Sequence, residues 1–304
     1  MVITSHGGSE NDAHLQMWQS QDGHRYALPV LPTLCAFRET PMTTFTVITA
    51  TLNALPLLKN TAASIVGQSF ADWQWIIIDG ASTDGTPEWL RETSRNKRNC
   101  IFICEPDKGI YDAWNKALPH IQGEWVLFLG AGDRLRGPDT LDLSARLLAL
   151  TPQELNLAYG RVEFIDSPES RSGELNHDQW EGMSGQWAYG RPRLPSHPAI
   201  FHRSRMFKNG VAFDPSYRIA GDTAILLKEL LKNGGQDITT TIALVLRGGV
   251  SQDPSTKSLM LREVLRANRE AGILWNRIYY QYAALVYHSM KAFMYKVKCI
   301  VNHR

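Results

Sequence analysis

The chain has 304 residues, 43% of them hydrophobic and 20% charged, and carries a net charge of +2. That length allows a sizeable core in one large domain or two smaller ones, and the composition excludes a disordered or nucleic-acid-binding chain. No run reaches the roughly 18 uninterrupted apolar residues of a membrane span. The N-terminus has no positive-then-apolar signal pattern, and Cys35, Cys100, Cys104 and Cys299 lack metal-site spacing, so reduced thiols in a cytoplasmic protein are expected.

Residues 1–41 are polar and aperiodic, which predicts a flexible N-terminal extension over 1–42. Met42 leads directly into an apolar run and fits as a natural start. From there, partly β-branched apolar runs at 45–49, 75–78, 101–104 and 125–129 read as buried strands. Helical patterns separate them. One apolar face is carried by Leu58, Ala62, Ile65 and Val66 after Pro56; a second helix opens at Thr86-Pro87; a third repeats Ile110, Ala113, Trp114 and Ala117 at helical spacing. Strand and helix in alternation imply right-handed crossovers and a mostly parallel sheet flanked by helices.

The second half is less regular. A strand at 157–165 is followed by a Gly-, Trp-, Ser- and Arg-rich surface excursion over 170–195, a strand at 199–202, a helix at 222–232, a strand at 238–246 and helices from residue 257 onward. The expected organisation is an α/β catalytic domain over 43–250 and basic amphipathic helices over 251–304. From Leu261 to Arg304, eight Arg or Lys stand against Glu263 and Glu270 in an otherwise nearly neutral protein. Ile273, Trp275, Tyr282, Val286, Met290, Phe293 and Val297 interleave with those cations. That pattern suits a helix lying on an anionic bilayer, and equally one packed on the domain or in a dimer contact.

Four polar clusters, at 51–53, 79–86, 105–112 and 130–133, each follow the carboxyl end of a strand, the edge where ligands bind in an open parallel sheet. The loop at 79–86 sets two carboxylates and two glycines ahead of a helix, suited to a ribose or base and to close backbone approach. There is no GxGxxG and no GxxxxGK[ST], which disfavours dinucleotide dehydrogenases and P-loop NTPases. Lys108-Gly109 precedes the third helix, with Asp112 and Asn115 on one polar face. Lys108 is a candidate phosphate or base contact, against the alternative of a solvated loop lysine. Gly248-Gly249-Val-Ser251 reads either as a phosphate-proximal turn or as a plain glycine turn.

These stretches resemble glycosyltransferase family 2. The residues that carry the resemblance are Phe-Thr-Val-Ile-Thr-Ala-Thr-Leu-Asn at 45–53, Asp-Gly-Ala-Ser-Thr-Asp-Gly-Thr at 79–86, Glu-Pro-Asp-Lys-Gly-Ile-Tyr-Asp-Ala-Trp-Asn-Lys at 105–116 and Phe-Leu-Gly-Ala-Gly-Asp at 128–133. They look closest to the branch found in bacterial exopolysaccharide and O-antigen clusters. The resemblance implies the GT-A fold with an added C-terminal helical extension, and an inverting, nucleoside-diphosphate-sugar-dependent transferase. It places Thr51, Asn53, Asp79, Ser82 and Asp84 around the nucleoside, and Lys108, Gly109, Asp112 and Asn115 in the rest of the donor site. His197, ahead of a strand, would lie beside the donor diphosphate or the acceptor.

The family's metal motif is a DxD-like pair after the fourth strand. Here Ala131-Gly132-Asp133 supplies only its second carboxylate, so Asp133 is the expected ligand of Mg²⁺ or Mn²⁺, which would offset charge on the departing diphosphate. Inversion needs a carboxylate to take the acceptor hydroxyl's proton. The family sets this base at the start of a downstream helix, where Asp222 stands, with a plain helix N-cap as the alternative. The expected partners are a UDP- or GDP-sugar and a saccharide or lipid-linked acceptor, with peripheral contact to an anionic membrane from the cytoplasmic side and no nucleic acid. Two other functions remain open: a catalytically silent nucleotide- or carbohydrate-binding protein of this fold, raised by the incomplete DxD, and a sugar-phosphate nucleotidyltransferase. The latter requires a Gly-rich basic signature near the first strand, which Ala50-Thr51-Leu52-Asn53 does not provide.

Overall fold

The computed structural model describes residues 45–95, 99–188, 190–249 and 253–273, with Val286, Tyr287, Met290 and two short strands near the N-terminus. It divides into two units, Met1–Met42 and Thr43–Arg304. In the first, β1 (Gln16–Gln19) and β2 (Arg25–Leu28) pair antiparallel in a stretch whose sequence shows no periodicity.

The second unit begins with β3 (Phe45–Thr51), α1 (Leu55–Val66), β4 (Trp73–Asp79), α2 (Thr86–Ser94), β5 (Cys100–Cys104), α3 (Ile110–Ala117) and β6 (Trp125–Phe128). It continues with β7 (Arg134–Leu135), α4 (Thr140–Leu148), β8 (Leu157–Ile165), β9 (Glu174–Asn176), β10 (Trp187–Ala188), β11 (Arg191–Pro192), β12 (Ile200–Arg203) and α5 (Arg205–Lys208). It ends with α6 (Gly221–Asn233), β13 (Gln236–Leu246) and α7 (Lys257–Glu270). The main sheet runs β5-β4-β3-β6-β12-β8-β13-β7, with β9 beside β8. Its first four strands are parallel, as the strand-helix alternation predicts. β8 and β13 also pair in parallel, while β12 is antiparallel to both β6 and β8 and β7 is antiparallel to β13, so antiparallel strands are mixed into the parallel frame. The reversal occurs where the helix-strand alternation fades from the sequence.

β3 and β4 are buried along almost their whole lengths, which is why they read as continuous apolar runs rather than alternating ones. One core cluster packs Leu58, Ala62 and Ile65 of α1 against Val47, Trp75 and Ile77, and a second packs Trp114, Phe128 and Phe213 against α6. Each such side chain, once buried, contributes on the order of 1.5–3 kcal/mol.

α7 departs from the expected boundary at residue 250. Met260, Leu261, Val264 and Ala267 belong to the same core cluster as Ala224, Leu227 and Leu230 of α6, so this helix is part of the α/β unit. Of the basic and aromatic stretch beyond it, Ile273 is buried, and Val286, Tyr287 and Met290 are exposed. The rest of that stretch, and with it the expected membrane helix, lies outside the described residues. Among the described residues no helix is long and apolar enough to cross a membrane.

Candidate active site

The parallel strands end along one edge, and the polar clusters follow there. Asp79, the last residue of β4, has no exposed surface. Its carboxylate accepts the Ser82 N–H (3.0 Å), the Ser82 hydroxyl (2.5 Å) and the Cys104 thiol (3.1 Å). Ser82 Oγ in turn accepts the Asn53 N–H at 2.7 Å, and Asn53 Oδ1 accepts the Thr83 N–H at 2.8 Å. Asp84 bridges two helix starts, accepting the Leu55 N–H at 2.9 Å and the Thr86 hydroxyl at 2.6 Å. The Thr86 hydroxyl and the Leu55 N–H hold its carboxyl below the ordinary carboxylate range. Thr51, at the end of β3, is buried, and its hydroxyl has no partner.

In the third cluster, Asp107 accepts the Gly109 N–H and Asp112 accepts the Lys108 N–H, turns that lead into α3 with the Lys108 side chain exposed. Asn115 uses both ends of its amide on the backbone of Phe213, donating to its carbonyl (2.7 Å) and accepting its N–H (2.9 Å). Asp112 and Asn115, expected on one polar donor-facing side, are thus both engaged within the protein.

Beyond this rim a cleft of about 990 Å³ opens, lined by Asp133, His197, Asp222 and the Gly248-Gly249 turn. Thr51, Asn53, Asp79, Ser82, Asp84, Lys108, Gly109, Asp112 and Asn115 do not line it. The structure therefore brings three of the candidate residues into one cleft and leaves the nucleoside-side set on the adjoining strand ends.

Asp133 is held in the turn after β6. Buried Thr61 of α1 accepts the Gly132 N–H (3.0 Å) and donates toward the Asp133 carbonyl (2.8 Å), fixing the turn against the helix. Asp133 Oδ1 accepts the Leu246 N–H at 3.1 Å. Burial pushes this carboxyl up to about 7. A Cβ on Gly130 would sit 2.9 Å from Oδ2, so glycine lets the backbone pack close to that oxygen. A single hard carboxylate on the cleft wall fits a divalent cation that draws its other ligands from substrate phosphates and water. Among the described residues no group of three or more His, Cys, Asp or Glu forms a metal cage.

Asp222 lies in the first turn of α6, and Ala220, not Asp222, is the cap residue. Its Oδ1 accepts the Thr223 N–H (2.7 Å) and faces the Tyr111 hydroxyl (3.3 Å), on the wall of the cleft. Burial raises this carboxyl above its ordinary range, opposed by the Thr223 N–H, the charge of Arg191 and the Tyr111 hydroxyl. Tyr111 packs directly beneath the helix start because position 221 is glycine: a Cβ there would lie 2.8 Å from the ring.

His197 is buried on the cleft wall, stacked on Phe128 (5.2 Å between ring centres) and tilted against Trp114 (5.1 Å). Burial pushes it down to about 3, which keeps the imidazole neutral, and its buried Nε2 has no hydrogen-bond partner. Arg191, Arg218, Arg247 and Lys257 also line the cleft, and no sequence motif singles them out. In the sequence, Tyr111 stands inside the 105–116 stretch with no local pattern to mark its role. Glu263 shows there only as one of two charges offsetting a basic tail.

A sheet of this order, with its ligand loops at the carboxyl ends of β3–β6 and a cleft between β6 and α6, has the GT-A fold of nucleotide-sugar transferases. Residues 46–138 match the profile described as Glycosyl transferase family 2. The chain is 32% identical over 181 residues to a PGL/p-HBAD biosynthesis glycosyltransferase of Mycobacterium tuberculosis, covering 59% of this chain and 66% of that relative. It is 37% identical over 89 residues to a putative teichuronic acid biosynthesis glycosyltransferase of Bacillus subtilis, covering 29% of this chain and 35% of the relative. Among solved structures, Staphylococcus aureus TarS 1-349 in complex with UDP-GlcNAc superposes with a TM-score of 0.58 at 18% identity, over 74% of this chain and 66% of that one. The chain thus spans just under two thirds of its mycobacterial relative. Its similarity to glycosyltransferase family 2 is carried by residues 46–138 and by this relative.

Proposed function

We propose that this protein is an inverting glycosyltransferase that moves a sugar from a UDP- or GDP-sugar to a hydroxyl of a saccharide or lipid-linked acceptor in bacterial surface polysaccharide synthesis. The carrying observation is that Asp133 and Asp222 share one cleft, each made more basic by burial. The names of the mycobacterial and Bacillus relatives, which refer to PGL/p-HBAD and teichuronic acid biosynthesis, support the surface-glycan assignment.

In this reading the acceptor hydroxyl lies against Asp222 Oδ2. As its oxygen attacks the anomeric carbon, its proton passes to Oδ2 and the bond to the diphosphate oxygen breaks on the opposite face. A carboxylate more basic than usual suits this step, and Tyr111 and the Thr223 N–H keep Oδ1 fixed while Oδ2 reacts. Asp133 is the residue that would hold Mg²⁺ or Mn²⁺, which when bound offsets charge on the leaving diphosphate. His197 offers a neutral hydrogen-bonding edge, and the apolar rings around it exclude water. A lipid-linked acceptor would place the reaction at the inner face of the cytoplasmic membrane.

A thermal-shift screen of nucleotides and sugar nucleotides, with and without Mn²⁺, tests this, because ligands of the native state raise apparent stability by mass action. Stabilisation by one nucleoside diphosphate sugar, followed by transfer with a product of inverted anomeric configuration by NMR, is the expected result. Binding with neither transfer nor donor hydrolysis would identify a silent binding protein instead.

A further inference from the structure

We propose that Glu263, on α7, is a positioning residue for Asp222: it anchors the backbone segment 218–220 from which α6 starts, together with the carbonyl on which Tyr111 rests. The proposal takes Asp222 as the proton-accepting carboxylate. Glu263 is 8% exposed. Its two oxygens accept three consecutive backbone N–H groups, from Arg218 (2.8 Å), Ile219 (2.8 Å) and Ala220 (2.9 Å). Such charge-assisted bonds are about twice as strong as neutral ones. Removing the acceptor would leave the donors unmatched.

The anchor reaches Asp222 by two routes. Along the chain, Ala220 is the cap residue of α6, and Asp222 stands in the helix's first turn. Through space, the Ile219 residue whose N–H donates to Glu263 offers its carbonyl to the Tyr111 hydroxyl at 2.7 Å, and that hydroxyl lies 3.3 Å from Asp222 Oδ1. The segment needs a tie because no helix or strand occupies the stretch between α5 and α6. A second tie from α7 acts further upstream, where Arg266 pairs with Asp214 and lies over the Tyr217 ring. α7 also supplies Lys257, Met260 and Val264 to the cleft wall, so one helix both lines the cleft and sets its base. An ionisable residue between Leu261 and Val264, on the buried side of a helix, has this backbone segment as its matching partner.

Glu263→Gln keeps the size of the side chain but halves its acceptors. The expected result is a fall in kcat of about tenfold or more, with the donor KM within about twofold of the parent. In the Asp222→Asn background the same substitution should cost much less, because the two act as a unit. Amide hydrogen exchange read on the folded protein should accelerate from Arg218 through Thr223. Parent-like kcat in E263Q, an undiminished loss in the Asp222→Asn background, or acceleration that stops at Ala220 would each overturn the proposal. If the parent transfers no sugar, the functional reading falls by itself, and the exchange at Thr223 still decides whether Glu263 sets the start of α6. Glu263→Asp, which keeps the charge with a shorter reach, carries the same measurements should E263Q fail to fold.

Discussion

The carboxylates at the end of β4 and in the loop that follows it, and those in the cleft between β6 and α6, are chemically alike but differently engaged. Asp79 and Asp84 accept bonds on both oxygens, from Ser82 and Thr86 in their own loop and from Cys104 and Leu55 on neighbouring elements, bracing one strand end against the next. Asp133 and Asp222 take fewer such bonds and sit where burial makes them more basic. A carboxylate satisfied by its neighbours builds the wall of a site. One left partly unsatisfied in a desolvated place is poised for chemistry.

The largest effect should fall on Asp222. Asp222→Asn is expected to lower transfer by at least about 10²-fold while nucleotide binding, read calorimetrically, stays near the parent value. Parent-like turnover would remove the contrast between the two regions at its strongest point.

Asp79→Ala should act on stability instead. Three donors lose a buried acceptor, so urea unfolding should report a loss of about 2–4 kcal/mol. An unchanged midpoint would mean that the β4 end is not a brace.

Asp133 should show itself in cation dependence. Its carboxyl stands near 7 in the folded protein against 3.8 for a free aspartate side chain, so between these values the native state holds a proton that the unfolded chain releases. Its contribution to stability therefore falls as pH rises through that window, while the affinity for Mn²⁺, which needs the carboxylate, rises. Thermal shift by Mn²⁺ with a sugar nucleotide should grow from about pH 6 to about pH 8 in the parent and be weak at both in Asp133→Asn. Equal shifts in parent and variant would place the cation elsewhere.

The smallest effect is expected from His197. With its folded value near 3 and a free value of 6.5, the native state binds fewer protons than the unfolded chain between the two. The stability it contributes is present above about 6.5 and is lost as pH falls toward 3. His197→Phe should flatten part of that acid limb in denaturation measured against pH; buried His202 is shifted in the same direction and adds to the limb.

The parallel half of the sheet was legible in the chain's local pattern. Buried strands such as β3 and β4 leave continuous apolar runs, and turn-forming clusters mark their carboxyl ends, so local pattern and tertiary role coincide. Resemblance also marked Asp133 and Asp222, though the identity of the α6 cap and the burial that raises each carboxyl are not written in local pattern. What the acidic loops touch is settled only by folding: Asn115 clamps Phe213 from 98 positions away, and Thr61 holds the Asp133 turn across 72. The antiparallel half is of the same kind, since β12 enters between β6 and β8 by long-range pairing. So is the place of α7, an expected tail that forms part of the cleft wall, because a helix's apolar stripe names no partner until another face covers it.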